Sequence, residues 1–344
     1  MKTKSLKLLN KKRNIYELFN IPDYVRNSDN DYSDFYSFRY LPKAQKNIEI
    51  SKDERFKLYL NSYKQRRNLI NIRPADFSLD RYRLILNYKN EADWLKKAQK
   101  KFHKYIVREL GDVTYLHSTI RDKSYATNAF IHKYDKYFLV IDLRNFFTYV
   151  DREKIKNKLQ SYLSIDSDVA TFYSILVTSP YDEPPYHNNK FNLGQGLPSS
   201  PIMAFLCYKS LFDHLFSYSN SSNITMTVYV DDIVFSSNTE IKQEFINRLF
   251  GLFKYNGLEI NKNKLRLYKP VTPKKITGAY IIDGSLKIPY KKQEELFVLY
   301  NEIRTKLETL NSLNDYFIIY NLYLKFCGNF QYLLEVECRN EDGK

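Results

Sequence analysis

The chain has 344 residues, 43% of them hydrophobic, and a formal net charge of +15. That apolar content supports a packed core and excludes a disordered chain, while the surplus of Lys and Arg points to a polyanionic partner. Cys207, Cys327 and Cys338 lack CxxC spacing, which excludes a zinc site or disulfide framework and fits a reduced, cytoplasmic protein with no membrane partner, because no apolar run is long enough to span a bilayer.

The N-terminus (MKTKSLKLLNKKRN) is basic and lacks the apolar stretch and cleavage site of a signal peptide. Asn27–Asp34 (NSDNDYSD) reads as a loop, and Lys43–Ile72 as containing helix. Arg81–Tyr88 (RYRLILNY) reads as a strand. Asn90 opens a helix over Glu91–Leu110, with Trp94, Leu95, Ala98, Phe102, Ile106 and Leu110 on one face and Lys96, Lys97, Lys100, Lys101 and Lys104 on the other. Gly111 ends it. Phe138–Asp142 is a buried strand closed by an aspartate, and Arg152–Val177 is helical. Three prolines make Ser179–Asn192 irregular. Leu193–Pro201 (LGQGLPSSP) turns tightly at Gly194 and Gly196 and leads into an apolar helix, Ile202–Phe216. Two strands flank Tyr229-Val230-Asp231-Asp232, and an amphipathic helix follows at Glu240–Asn256. Leu265–Leu267 and Ile276–Ile282 read as strands. Two helices close the chain, one from Lys291 and one over Asp315–Val336.

The chemistry concentrates in three of these segments. Two adjacent carboxylates repel unless a cation lies between them, so Asp231 and Asp232 are candidate ligands for a hard divalent metal. Asp142 alone would serve as a cap for a helix starting near Thr148. Together with the aspartate pair it forms the carboxylate set of a two-metal polymerase or nuclease. Gln195 adds both donor and acceptor groups beside the glycines.

The ordered set DLRNFF, QGLPSSP and YVDD resembles the palm of a reverse transcriptase, and more narrowly that of the bacterial retron reverse transcriptases. Asn128-Ala129-Phe130-Ile131-His132 fits that family's NAxxH motif. Gly257-Leu258-Glu259-Ile260-Asn261 with Lys264 resembles its GLxIN…K segment, and Lys275-Ile276-Thr277-Gly278 its VTG motif. The resemblance covers about Ile120 to Ile288; residues 1–80 show no comparable match.

The resemblance implies an α+β right-hand polymerase: an N-terminal region with fingers over 1–115, a palm with an antiparallel sheet over 116–284, and a helical thumb over 285–344. It leaves no room for a ribonuclease H or endonuclease domain after the polymerase core. It makes Asp142, Asp231 and Asp232 the catalytic carboxylates and the ligands of two Mg2+ ions, with Mn2+ as substitute, and gives the Leu143 carbonyl to the same metal site. Lys264, with Lys262 as alternative, would neutralise or protonate the leaving pyrophosphate. Phe147 matches the steric gate that rejects a ribose 2′-OH, and Phe146 is then core. Gln195 and Gly196 meet the incoming dNTP, and Arg83, or Arg81, its triphosphate. Tyr229 lies near the primer terminus. Asn128, His132, Thr277 and Gly278 are candidate primer or RNA contacts. The implied partners are a structured noncoding RNA serving as template and primer, its DNA product and an effector protein, in antiphage defence. The thumb helices and the basic N-terminal region are the expected RNA surfaces. Val230, Thr148 and Tyr88 depart from the family's usual residues, so a defence reverse transcriptase outside the retrons stays open, as does an RNA-binding scaffold without activity.

Overall fold

A computed structural model describes residues 12–26, 32–42, 82–180 and 190–340. The helix expected within Lys43–Ile72, and Arg81, lie outside the described residues. Helix α1 (Lys12–Phe19) and a single turn, α2 (Asp23–Arg26), precede the antiparallel pair β1 (Tyr36–Pro42) and β2 (Tyr82–Tyr88). Helix α3 (Asp93–Leu110) follows a 3-10 turn at Asn90–Ala92. It buries Leu95, Ala98, Phe102, Ile106 and Leu110 as their spacing requires, and also Gln99 and Tyr105. Gly111 ends it with a positive φ of 67°.

The chain continues through α4 (Tyr125–Ile131) and β3 (Tyr137–Asp142). Ser124 and Thr127 form a reciprocal capping box that starts α4. The helix expected over Arg152–Val177 is two: α5 (Arg152–Leu163) and α6 (Ser167–Val177). Ser164 adopts a left-handed φ of 53° between them. Asp151, not Asp142, caps α5, accepting from the Lys154 amide at 2.7 Å. The short pair β4 (Ser179–Pro180) and β5 (Phe191–Asn192) leads to α7 (Ser200–Cys207), and the apolar helix expected as one element breaks at Tyr208 into α7 and α8 (Lys209–Ser221).

Strands β6 (Thr225–Tyr229) and β7 (Asp232–Ser237) form the hairpin, followed by α9 (Gln243–Tyr255) and β8 (Arg266–Tyr268). The strand expected over Ile276–Ile282 breaks at Thr277 and Gly278, whose φ values of 44° and 112° turn the chain. That gives β9 (Lys274–Ile276) and β10 (Ala279–Ile282), with β11 (Ser285–Lys287) beside β10. Helices α10 (Tyr290–Glu308) and α11 (Leu313–Glu337) end the described chain.

These elements divide into two compact units. The first joins Met1–Gly111 to Asn145–Lys209, and its core carries a cluster of rings, Phe19, Phe102 and Tyr173, with centroids 5.0–6.3 Å apart. The second joins Asp112–Arg144 to Ser210–Lys344. It holds a four-stranded antiparallel sheet in the order β6-β7-β3-β8 and a three-stranded sheet in the order β11-β10-β9. Phe138, Val140 and Val234 on the first sheet share one core with Ala126 and Ala129 of α4, Ile276 and Ile281 of the second sheet, Leu296 of α10 and Val336 of α11. That shared core fixes the carboxylate-bearing strands relative to the C-terminal helices.

Candidate active site

Strand register sets two of the carboxylates opposite each other in the second unit. Strand β3 pairs with β7 so that Asp142 lies opposite Asp232. The β6–β7 hairpin turns through Val230 and Asp231, and the Leu143 amide donates to the Asp231 carbonyl at 2.9 Å. Val230 takes a positive φ of 58° at the first turn position, as in a type II′ turn, a conformation that a β-branched residue adopts only under strain. Its amide donates to Ser118 Oγ at 3.1 Å, which helps hold the turn.

Asp142 is nearly buried, and both its oxygens accept hydrogen bonds. Lys264 Nζ donates to Oδ2 at 2.6 Å and Asn261 Nδ2 to Oδ1 at 3.0 Å. The Asn261 amide also donates to the Asp142 carbonyl, and Arg144 to the Glu259 carbonyl, so the GLEIN segment is laced along the end of β3. Sequence reading singled out Lys264 but gave Asn261 no role; its place in that motif was the available signal. Burial and the charges of Asp231 and Asp142 raise the Asp232 carboxyl to about 7, and Lys264 offsets this only in part. A negative charge on Asp232 is thus disfavoured near neutral pH, first by burial and then by its carboxylate neighbours.

Carboxylate and carbonyl oxygens are the donors that Mg2+ prefers, so the chemistry of Asp142, Asp231, Asp232 and the Leu143 carbonyl fits such an ion. Among the described residues, however, no three acidic, His or Cys side chains stand close enough to hold one. Asp142 is instead engaged by Asn261 and Lys264.

The nucleotide-binding candidates gather in the first unit. The Gln195 carbonyl accepts from the Leu86 amide at 2.9 Å, and Gln195 bridges Ile85, which ties the QG turn to β2. Gly196 has φ 102°, and a Cβ there would lie 2.6 Å from the Leu86 carbonyl oxygen, so only glycine fits. Arg83 lies on the same strand, paired with Leu41. The turn that bears Phe147 is tied to the same loop: the Leu193 amide donates to the Val150 carbonyl and Asn192 Nδ2 to the Thr148 carbonyl. Phe146 is buried and stacks on Tyr208, while Phe147 is partly exposed. The chain passes from one unit to the other between Arg144 and Asn145.

The NAxxH and VTG residues are internal to the second unit. His132 is fully buried, with Nδ1 2.5 Å from Ser236 Oγ and Nε2 2.7 Å from Thr227 Oγ1. Burial holds its imidazole down at about 3, so it is neutral. Asn128, also buried, donates to Thr277 Oγ1 at 3.2 Å, and Thr277 donates to the Tyr125 carbonyl. Tyr332 of α11 donates to the Gly278 carbonyl at 2.6 Å, and Tyr125 donates to Glu335 at 2.9 Å. The two phenol rings stack 5.0 Å apart. Tyr229 is half-buried, and burial, then Glu335 and Asp232, push its phenol up. Sequence reading missed this junction, since Tyr125 and Glu335 lie 210 positions apart.

The family model of "Reverse transcriptase (RNA-dependent DNA polymerase)" matches residues 75–293. The chain belongs to this family. Similar curated reverse transcriptases are those of retron Se72 from Salmonella heidelberg and retron Ec86 from Escherichia coli. The first is 25% identical over 213 residues, covering 60% of this chain and 53% of the relative. The second is 28% identical over 191 residues, covering 54% and 53%. The reverse transcriptase of retron Mx162 from Myxococcus xanthus is 26% identical, covering 54% and 42%. The retron-type resemblance is therefore borne out, and the chain spans about half the length of the curated relatives it matches. Among solved structures, apo telomerase from Candida tropicalis truncated from the C-terminal domain aligns with a TM-score of 0.43 at 12% identity, covering 60% of this chain and 52% of the other. Telomerase from Candida albicans with a fragment of telomeric RNA aligns with a TM-score of 0.42 at 12% identity, covering 75% and 54%. No helix among the described residues is long and apolar enough to cross a membrane.

Proposed function

We propose that the chain is an RNA-directed DNA polymerase of retron type. It copies a structured noncoding RNA, which also primes, into single-stranded DNA linked to that RNA, in antiphage defence beside an effector protein. The observation that supports the activity is the strand register that sets Asp142 opposite Asp232, with Asp231 in the adjoining turn and Lys264 on Asp142. In this reading residues 1–115 supply the N-terminal region and fingers, 116–284 the palm with interleaved fingers elements, and 285–344 the helical thumb.

Asp142, Asp231, Asp232 and the Leu143 carbonyl would hold two Mg2+ ions. Bound there, they supply Lewis-acid activation of a 3′ or 2′ oxygen and charge neutralisation at phosphorus. The chain's own residues do the rest. Gln195 and Gly196 present backbone and amide to the nucleotide sugar, Arg83 its guanidinium to the triphosphate, and Phe147 its ring against a 2′-OH. Lys264, released from Asp142, brings a proton and a positive charge to the leaving pyrophosphate. Tyr229 meets the primer end. Asn128 and His132, being buried, would act on RNA indirectly by shaping the surface around Tyr125, Thr277 and Gly278.

The test is expression with native flanking DNA, followed by sequencing of co-purifying nucleic acid. RNA joined to complementary DNA through a branch that survives protease and yields to debranching enzyme is the expected product. Repetitive or protein-attached DNA would place the chain among other defence reverse transcriptases. Asp231→Ala with Asp232→Ala should abolish DNA synthesis and leave RNA binding nearly intact; continued synthesis rules the site assignment out.

A further inference from the structure

Helix α11 carries an apolar stripe that stands exposed among the described residues. Leu313, Tyr316, Tyr320, Tyr323, Cys327, Phe330 and Leu334 follow one another at intervals of 3, 4, 3, 4, 3 and 4 residues. This is the seam spacing of a coiled coil, sustained over three heptads. Apart from Cys327, which is half-buried, these residues are between 37% and 82% exposed. Their neighbours on one flank, Ile319, Phe326 and Leu333, already pack into the thumb. Phe326 meets Tyr300 of α10, so the helix is anchored and its seam faces outward from a formed thumb.

The charge on α11 argues against a phosphate backbone as occupant. The chain carries +15, yet the charged residues of this 25-residue helix are Asp315, Lys325, Glu335 and Glu337. One cation over a length of about 37 Å cannot match a duplex that carries a negative charge roughly every 1.7 Å. The other flank of the seam, Phe317, Leu324 and Gln331, is uncharged. Coiled coils choose a different partner by charges at such flanks. A stripe without them meets its own copy with no like-charge repulsion. The area suffices as well. Tyr316, Tyr320, Tyr323 and Phe330, each about half exposed, would add about 400 Å² to a contact. With Leu313, Phe317, Leu324 and Leu334 the stripe approaches the ~800 Å² per partner of a stable interface.

We propose that two copies of this chain pair through α11, seam to seam, about a two-fold axis. In an antiparallel pair Tyr323 and Leu324, midway between Leu313 and Leu334, sit at the axis.

Sedimentation equilibrium of the full chain, treated with nuclease and run over a concentration series at low and high salt, tests this. The expected result is a dimer near micromolar concentration that high salt does not dissolve. Tyr320→Glu with Tyr323→Glu should weaken it by about a hundredfold or more, because each buries a carboxylate in the seam. Tyr320→Phe with Tyr323→Phe should leave it intact. Helicity and primer extension of each variant show that it folds. Independently of any destabilising change, Tyr323→Cys in a background of Cys327→Ser with Cys338→Ser should give a disulfide-linked dimer under mild oxidation, and that background alone should not. A monomer at every concentration, a dimer indifferent to the two glutamates, or one lost on nuclease treatment would overturn the proposal. The last outcome would assign the stripe to stacked bases instead.

Discussion

Phe146 and Phe147 are neighbours in sequence, and their surroundings separate them. Phe146 is 3% exposed and stacks on Tyr208 with centroids 5.7 Å apart. Phe147 is partly open, on a turn tied to the loop that bears Gln195. Truncating the first empties a packed core; truncating the second removes a ring from a surface. Phe146→Ala should therefore cost about 3–5 kcal/mol of stability. Phe147→Ala should leave the melting temperature nearly unchanged and raise ribonucleotide use relative to deoxyribonucleotide use by at least tenfold. Competitive incorporation assays and thermal melts on the same two variants separate these outcomes; equal sugar discrimination in Phe147→Ala would remove the gate assignment. Order and spacing in the sequence singled out both rings, and the structure bears out the burial expected of Phe146. What spacing did not reveal was the engagement of Asp142 by both Asn261 and Lys264, which depends on how the GLEIN segment folds back on β3.

At the scale of elements, α4 is bound to the hairpin through His132, and that bond has a pH signature. The imidazole is fully buried, accepting or donating between Ser236 and Thr227, with its folded value near 3 against an unfolded value near 6.5. Below about 6.5 the unfolded chain takes up a proton that the folded chain refuses. Stability is therefore complete above that pH and is lost as pH falls toward 3. At about pH 5.5 this single group should cost about 1.4 kcal/mol. Replacing it with Gln should lower stability at neutral pH and flatten the acid slope, which urea melts across a pH series would read; an unchanged slope would mean that His132 is not the group responsible. The same elements show what sequence could and could not give. Strands β2, β3, β6 and β7 stand where runs of apolar, β-branched and aromatic residues put them. The break at Tyr208 was invisible, because the apolar run continues through it, whereas Ser164 to Asp168 and Thr277-Gly278 carry turn-forming residues whose signal was passed over. The junction of Tyr125, Tyr332 and Glu335 was equally hidden, since pairing across 210 positions leaves no local pattern.

The whole molecule carries its charge unevenly, and that unevenness predicts where a polyanion binds. Helix α3 exposes Lys96, Lys97, Lys100 and Lys104 along one side. Lys97 is paired with Asp93 at 2.6 Å, and the other three lie on a face with few acids. Helix α11 offers a single cation, Lys325. Removing one lysine that neutralises a phosphate should reduce the slope of log affinity against log salt by about 0.9 for a duplex and about 0.7 for a single strand. Lys100→Gln with Lys104→Gln should therefore weaken template–primer binding at low salt, by similar factors for unrelated sequences, and flatten the slope by roughly one to two units. Lys325→Gln should change neither by as much, because its helix presents aromatic and aliphatic surface rather than a row of cations. Titrations at several salt concentrations would read both. A flattened slope in Lys325→Gln together with an unchanged one in the α3 variant would reverse the assignment. It would make the C-terminal helices the phosphate-tracking surface of the molecule and leave the α3 lysines as a solvated face.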